Sequence, residues 1–119
     1  MGDLFGPVVG PHALNSGRLR LELVEGDNME PTLVRDRDLV LCLPVHGYDG
    51  EGIYAVSNPF GWSLYRCEHL ICGEIRMSSD NKSYTPRSVG LAEFNEIVLA
   101  KVVADVKVRD ARGLSALSH

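Results

Sequence analysis

No window of the chain approaches the roughly 18 uninterrupted apolar residues of a membrane span, and the first residues show no charged region followed by an apolar one. Neither an anchor nor a signal peptide is expected, and the cytosol is the expected compartment. Positive charge is also scarce, since 12 Lys and Arg stand against 16 Asp and Glu for a formal net charge of -4. Such a balance offers no general attraction to a phosphate backbone, so this segment is not expected to grip DNA itself. Cysteine is too sparse for a disulfide framework: Cys42, Cys67 and Cys72 are an odd number in a chain large enough to fold without bridges, which argues for reduced thiols. Cys67, His69 and Cys72 could suggest zinc, but they supply at most three nearby ligands and no paired knuckles, so no metal and no cofactor are expected. Internal repeats are lacking, as is any stretch of ten or more residues with strong helical periodicity.

What remains is a chain of 119 residues with 45% hydrophobic content, the size and composition of one ordinary domain. Residues 1–17 hold Gly2, Gly6, Pro7, Gly10, Pro11 and Gly17, a density of breakers expected of an arm or linker. In Arg18–Glu25 the leucines fall at 19, 21 and 23 between charges, the period-2 pattern of a half-buried strand. The turn Gly26-Asp27-Asn28-Met29 follows, and a short helical turn is expected from Met29 to Leu33, with Pro31 restricting the backbone. Leu39–Leu43 is a continuous apolar run of strand length, consistent with burial on both faces.

His46–Gly52 carries three glycines in seven residues and is expected to be a mobile surface loop. Ile53–Ser57 and Trp62–Glu68 are expected to pair through the turn Asn58-Pro59-Phe60-Gly61, and Leu70–Met77 should add another turn and strand. Ser78–Arg87 is polar and loop-like. From Ile97 to Val108 the residues Ala100, Val102, Ala104, Val106 and Val108 alternate with Lys101, Val103, Asp105 and Lys107, which predicts one long strand or two. Arg109–His119 shows no pattern and is expected to be a disordered tail. The expected organisation is an arm over 1–17, one domain over 18–108 and a tail over 109–119; the expected fold is mainly β, with about seven short strands and little helix.

Glu25-Gly26-Asp27-Asn28-Met29-Glu30-Pro31-Thr32-Leu33, with Asp36-Arg37-Asp38-Leu39-Val40, resembles the Gly-Asp-Ser-Met-x-Pro-Thr-Leu and Gly-Asp-x-Val segments of the LexA-like self-cleaving peptidases, which are related to signal peptidase. The likeness continues through Gly52-Ile53-Tyr54, the strand around Leu64 to Cys67, and Ser79-Asp80-Asn81-Lys82-Ser83-Tyr84-Thr85-Pro86, covering roughly residues 19–108. The resemblance implies a β-clip or partly open barrel. It also implies a serine nucleophile activated by a lysine whose pKa burial has depressed.

In this sequence the serine position is Asn28 and the lysine position is Tyr65. An amide is not a nucleophile for an acyl-enzyme, and a phenol of ordinary pKa about 10 is protonated at neutral pH, so both halves of the dyad are missing. Arg66 cannot serve as a base, and Lys82 and Lys101, though near resembling segments, do not belong to the matching strand. Asn28 is then read as a turn residue bonding nearby backbone and tolerating positive φ, and Tyr65 as packing over a former cleft with its hydroxyl on a group such as Asn28. Asp27, Met29, Pro31 and Arg66 are candidate cleft-lining residues.

The functional expectation is a catalytically inactive LexA-like domain that serves dimerisation or signal sensing in a transcriptional regulator or phage-type repressor. DNA would be contacted only through a separate amino-terminal domain. Val98, Ala100, Val102, Ala104 and Val106 are candidates for a dimer edge. The alternatives are an active or mutationally inactivated Ser-Lys peptidase, for which Val9-Gly10 would be a former cleavage pair, and a module binding a regulatory protein, peptide or small ligand in the former cleft.

Overall fold

In a computed structural model, residues 18–110 and Arg112 are described; the expected arm over 1–17, with Val9-Gly10, and most of the expected tail lie outside the described residues. Seven strands form one antiparallel sheet: β1 (Arg20–Leu23), β2 (Asp38–Pro44), β3 (Gly52–Asn58), β4 (Gly61–His69), β5 (Glu74–Ser78), β6 (Arg87–Gly90) and β7 (Val98–Lys107). Their order across the sheet is β1-β2-β7-β3-β4-β5-β6. The sheet does not close, so the fold is mainly β without being a barrel.

The alternation along β3 divides the core between two faces. Ala55 joins Val40, Cys42, Leu64 and Ala100 on one side, and Met29 and Leu33 from the turn after β1 pack onto this cluster. Tyr54 and Val56 join Cys67, Ile75, Met77, Val89 and Val98 on the other side, which is capped by Phe94. Phe94 comes from a short helix, α1 (Leu91–Ile97), in which it is the buried residue. Burying that ring contributes on the order of 1.5–3 kcal/mol. The sheet is thus covered by a turn on one face and by α1 on the other.

Helix α1 is a departure from the sequence reading. Seven residues with one core contact are too short to display a 3.6-residue period, and the helix takes Ile97, so the last strand begins at Val98. The segment His46–Gly52 also departs from the expected mobile loop. The Tyr48 ring stacks on Tyr54 at 5.8 Å and meets Phe94 edge-on at 5.9 Å. The Tyr54 hydroxyl accepts from Asp49 N at 2.7 Å and donates to Gly50 O at 2.6 Å. Three glycines leave the backbone free to turn, but two aromatic side chains fix it.

Strand β7 corrects a third expectation. It lies between β2 and β3, with Ala100 facing Pro44 on one side and Ala55 on the other. Val98 and Ala100, 7% and 8% exposed, are therefore interior and cannot form a dimer edge. Beyond Lys101 the situation changes, because Val102, Ala104, Val106 and Lys107 pair with β2 while the ladder to β3 has ended. Ladder irregularities at Leu99 and Val103 break the regular alternation, and both side chains are exposed, at 45% and 48%.

Candidate functional site

The site is built where the Gly26–Leu33 turn meets the end of β4 and the loop between β5 and β6. The turn is closed by Leu33 N donating to Met29 O at 2.9 Å and Glu30 N to Asp27 O at 3.2 Å, one helical turn as expected from the sequence. Its base is pinned to the sheet by Val24 N donating to Asp38 O at 2.9 Å and by Asp36 N to Val24 O at 2.8 Å. Met29 is fully buried and anchors the turn, whereas Pro31 is exposed. The positive φ in this region falls at Asp36, at 61°, and not at Asn28.

Asn28 is half-buried, and its amide is committed to distant groups. Nδ2 donates to Leu64 O at 2.6 Å and to Ser79 Oγ at 3.2 Å. Leu64 O is available because β5 pairs only with Arg66–His69 of β4, leaving Gly61–Tyr65 with a ladder to β3 alone. The expected local bonding of Asn28 is therefore replaced by a clasp between the turn and an open strand edge.

The Ser79–Tyr84 loop completes the clasp. Asn81 N donates to Asn28 O at 2.9 Å, and Asn81 Nδ2 to Asp27 O at 3.1 Å. The exposed Tyr84 hydroxyl donates to Asp27 Oδ1 in a short hydrogen bond, which raises the phenol pKa. Asp80 joins three elements: Oδ2 accepts from Thr32 Oγ1 at 2.5 Å, and the Arg66 guanidinium donates from Nε to Oδ1 at 2.8 Å and from Nη2 to Oδ2 at 2.7 Å. This two-pronged pair holds the Asp80 carboxyl below its usual range and raises the Arg66 pKa.

Tyr65 is not where the sequence reading puts it. Along β4, Leu64 packs with Met29, while Tyr65 packs with the Tyr54–Phe94 cluster on the opposite face. Among the described residues its hydroxyl makes no bond to Asn28, whose amide partners are Leu64 and Ser79. The alternation of a strand explains the difference: the residue beside the turn at that level is Arg66, one position on. Asp27 and Met29 stand with Asn28 at the turn, and Arg66 reaches it only through Asp80 and Thr32. Lys101 is on the far face, 5.6 Å over the Tyr54 ring and bonded to Asp49 O.

Two depressions flank the clasp. One, of about 200 Å³, runs from Val24 to Met29 along the open edge of β4 and is bounded by Phe60 and Trp62. The other, of about 480 Å³, lies across Thr32, Arg66, Ser79 and Tyr84 and extends to Arg76 and Lys82. The sequence reading marked Ser79–Pro86 as a loop and missed the roles of Ser79, Asp80 and Tyr84, whose bonds to the turn span 48 to 57 residues, with Arg66 14 residues from Asp80, and leave no local signal.

Cys67 is buried and directs its thiol to Tyr65 O at 3.6 Å, and Cys72 is exposed. Among the described residues no three His, Cys, Asp or Glu side chains gather at a spacing that could hold a metal ion, and no helix is long and apolar enough to cross a membrane. An acyl-transfer site needs a nucleophile with a base in hydrogen-bond reach, and the tip of this turn carries an amide bonded to a carbonyl and a hydroxyl. Compared with protein-family models and with curated proteins, the chain matches none.

Proposed function

We propose that this chain is a LexA-like domain without peptidase chemistry, which brings two copies of a cytoplasmic transcriptional regulator together; any DNA contact belongs to a separate domain. The observation that carries the reading is an apolar row across β1, β2 and β7 that ends on an open strand edge. Leu21 faces Leu41 and Leu23 faces Leu39 across β1 and β2, and Leu41 faces Ala104 and Leu39 faces Val106 across β2 and β7. Directly opposed residues share a sheet face, so these six side chains form one patch. Helix α1 packs on β3, β5 and β6; within the row Leu39 and Leu41 are buried, Leu21 and Val106 are half-buried, and Leu23 and Ala104 are exposed. The adjoining Val103–Lys107 backbone lacks a partner on its β3 side among the described residues.

An open edge beside an apolar face suits pairing with a second copy, because a two-fold axis then satisfies both edges and both patches together. Ala104 and Val106 stay in the proposed interface and Leu21 and Leu23 are added, whereas Val102 faces Cys42 and packs with the core on the opposite face. The test is sedimentation equilibrium of the purified chain. A dimer is expected at micromolar concentration, and Ala104→Lys with Val106→Asp should convert it to monomer without loss of β-sheet circular dichroism. A wild-type chain that stays monomeric at high micromolar concentration contradicts the reading.

A second reading, a peptide-binding module, has support from the depression along β4. Gly61–Ser63 there has no strand partner on the side away from β3 among the described residues, beside Phe60, which is 98% exposed. A peptide that binds only the folded chain must raise its melting temperature, so thermal-shift screening separates this reading from dimerisation alone.

A further inference from the structure

We propose that the larger depression, between the Ser79–Tyr84 loop and the ends of β4 and β5, is a binding site for a small ligand carrying a phosphate monoester. The chain as a whole has a formal net charge of -4, yet this surface gathers three cations, Arg66, Arg76 and Lys82, around the single carboxylate of Asp80. Glu68 approaches Arg76 at 3.4 Å from β4 and Glu51 acts on Arg66, so the groove offers converging donors rather than a surplus of positive charge. The three cations come from three separate elements, β4, β5 and the loop, so their convergence is a property of the fold and not of a local basic run in the sequence.

The cations are also presented in a defined way. Arg66 is held by Asp80 through Nε and Nη2, which fixes the plane of the guanidinium and leaves Nη1 without a hydrogen-bond partner among the described residues. Arg76 uses Nη1 on Glu68 and keeps its other nitrogens. The Lys82 side chain is exposed and makes no hydrogen bond among the described residues, while its charge helps to lower the Asp80 pKa. Thr32 and Ser78 line the same surface but give their hydroxyl protons to Asp80 and to Arg66 O, whereas the Ser79 hydroxyl accepts from Asn28 and donates to no group among the described residues.

A fixed guanidinium with a second arginine and a flexible ammonium matches a compact dianion with several acceptor oxygens better than it matches a monocarboxylate. A long polyanion is disfavoured, because the net negative charge of the chain repels it beyond the immediate groove while a small ligand meets only the local field. Asp80 is then a positioning residue, orienting Arg66. The inference is independent of the dimer reading, since the groove involves no residue of the apolar row.

The test is NMR titration of isotopically labelled full chain with inorganic phosphate, O-phosphoserine, acetate and a short DNA duplex, at ionic strength held constant with chloride. Saturable shifts are expected at Ser78–Lys82, Arg66 and Arg76 with phosphate and phosphoserine and not with acetate. Lys82→Gln and Arg76→Gln, both at exposed or half-exposed positions, should each weaken phosphate by about tenfold or more, the low end of one charge-assisted contact. An unchanged amide spectrum outside the groove shows that each variant is folded. The proposal is overturned if phosphate gives no saturable shift in the groove, if acetate binds as well as phosphate, if duplex DNA binds more tightly than phosphoserine, or if folded Lys82→Gln and Arg76→Gln bind phosphate as the wild type does.

Discussion

Asn28 and Leu64 lie 36 residues apart and meet through a 2.6 Å hydrogen bond from the Asn28 amide to the Leu64 carbonyl. That contact occupies the tip of the turn and closes one position of an otherwise unpaired strand edge. It gives the amide a structural task that a nucleophile's hydroxyl or a charged side chain would perform differently.

Replacing the amide therefore has a signed consequence. Asn28→Ala leaves a part-buried carbonyl and the Ser79 hydroxyl without their donor and is expected to cost about 1–3 kcal/mol. Asn28→Asp should cost more at neutral pH, because an ionised carboxylate would face the Leu64 oxygen acceptor to acceptor. Burial against an acceptor raises the pKa of the introduced group, so its penalty shrinks as the pH falls and the acid form donates a hydrogen. Urea denaturation of both variants at neutral and acid pH checks the order; an Asn28→Asp protein as stable as wild type at neutral pH contradicts it.

Placing a hydroxyl at the tip of the turn should not create cleavage. In Asn28→Ser the new oxygen has no lysine bonded at the turn to deprotonate it, since Lys101 is bonded on the opposite face to Asp49 O, Lys107 is on Asp38, the exposed Lys82 of the neighbouring loop makes no hydrogen bond to the turn, and Arg66 is both always charged and spent on Asp80. Intact mass after prolonged incubation at alkaline pH is the expected result, and any defined fragment would mean that a base reaches the turn.

The mainly β architecture was legible because it rests on local signals: alternation in Leu19–Leu23, the apolar run of β2, and the Asn58–Gly61 turn between β3 and β4. Less legible was whatever depends on register. Tyr65 and Arg66 exchange roles because a shift of one residue along a strand swaps faces. Strand β7 reads as a candidate edge from its composition, but where an edge lies is decided by which strands flank it. Helix α1 escaped because its seven residues contribute one buried ring, Phe94. The clasp at Asn28 escaped because each of its bonds joins segments tens of residues apart.

The three cysteines should divide sharply in reactivity. Cys42 and Cys67 are buried, and burial pushes their thiols up to about 11 and about 12, so neither solvent access nor thiolate is available. Cys72 is exposed on the turn between β4 and β5. A thiol reagent at neutral pH is expected to modify one cysteine per folded chain promptly and the other two only on unfolding. Cys72→Ser should abolish the prompt phase, and a prompt phase of two or three thiols would contradict the packing of β2 and β4.

Acid should weaken the clasp at Asp80 and the buried contacts of Asp38 alike. Asp80 has its carboxyl held below the ordinary value chiefly by the Arg66 guanidinium, and Asp38 by the Val34 backbone N–H at 2.8 Å, with Lys107 at 3.0 Å adding to it against the cost of burial. A carboxylate with a depressed folded pKa contributes stability that is present above its unfolded pKa and is lost as the pH falls through the folded one. The loss therefore starts near the unfolded value of about 3.9 and continues below it. Arg66 is 43% exposed, which limits the Asp80 pair to about 0.5–1 kcal/mol at neutral pH. Asp38 is only 1% exposed, and Asp38→Asn, which disturbs its buried contacts, should cost about 1–3 kcal/mol. Stability measured by urea denaturation from about pH 6 down to about pH 2 should fall less steeply for Asp80→Asn than for wild type, because the variant has no proton to take up at that site. Amide exchange at Asn81, whose N–H is bonded to Asn28 O, should quicken over the same range in wild type. If Asp80→Asn loses stability in acid as steeply as the parent chain, Asp80 is not ionised and paired in the folded state.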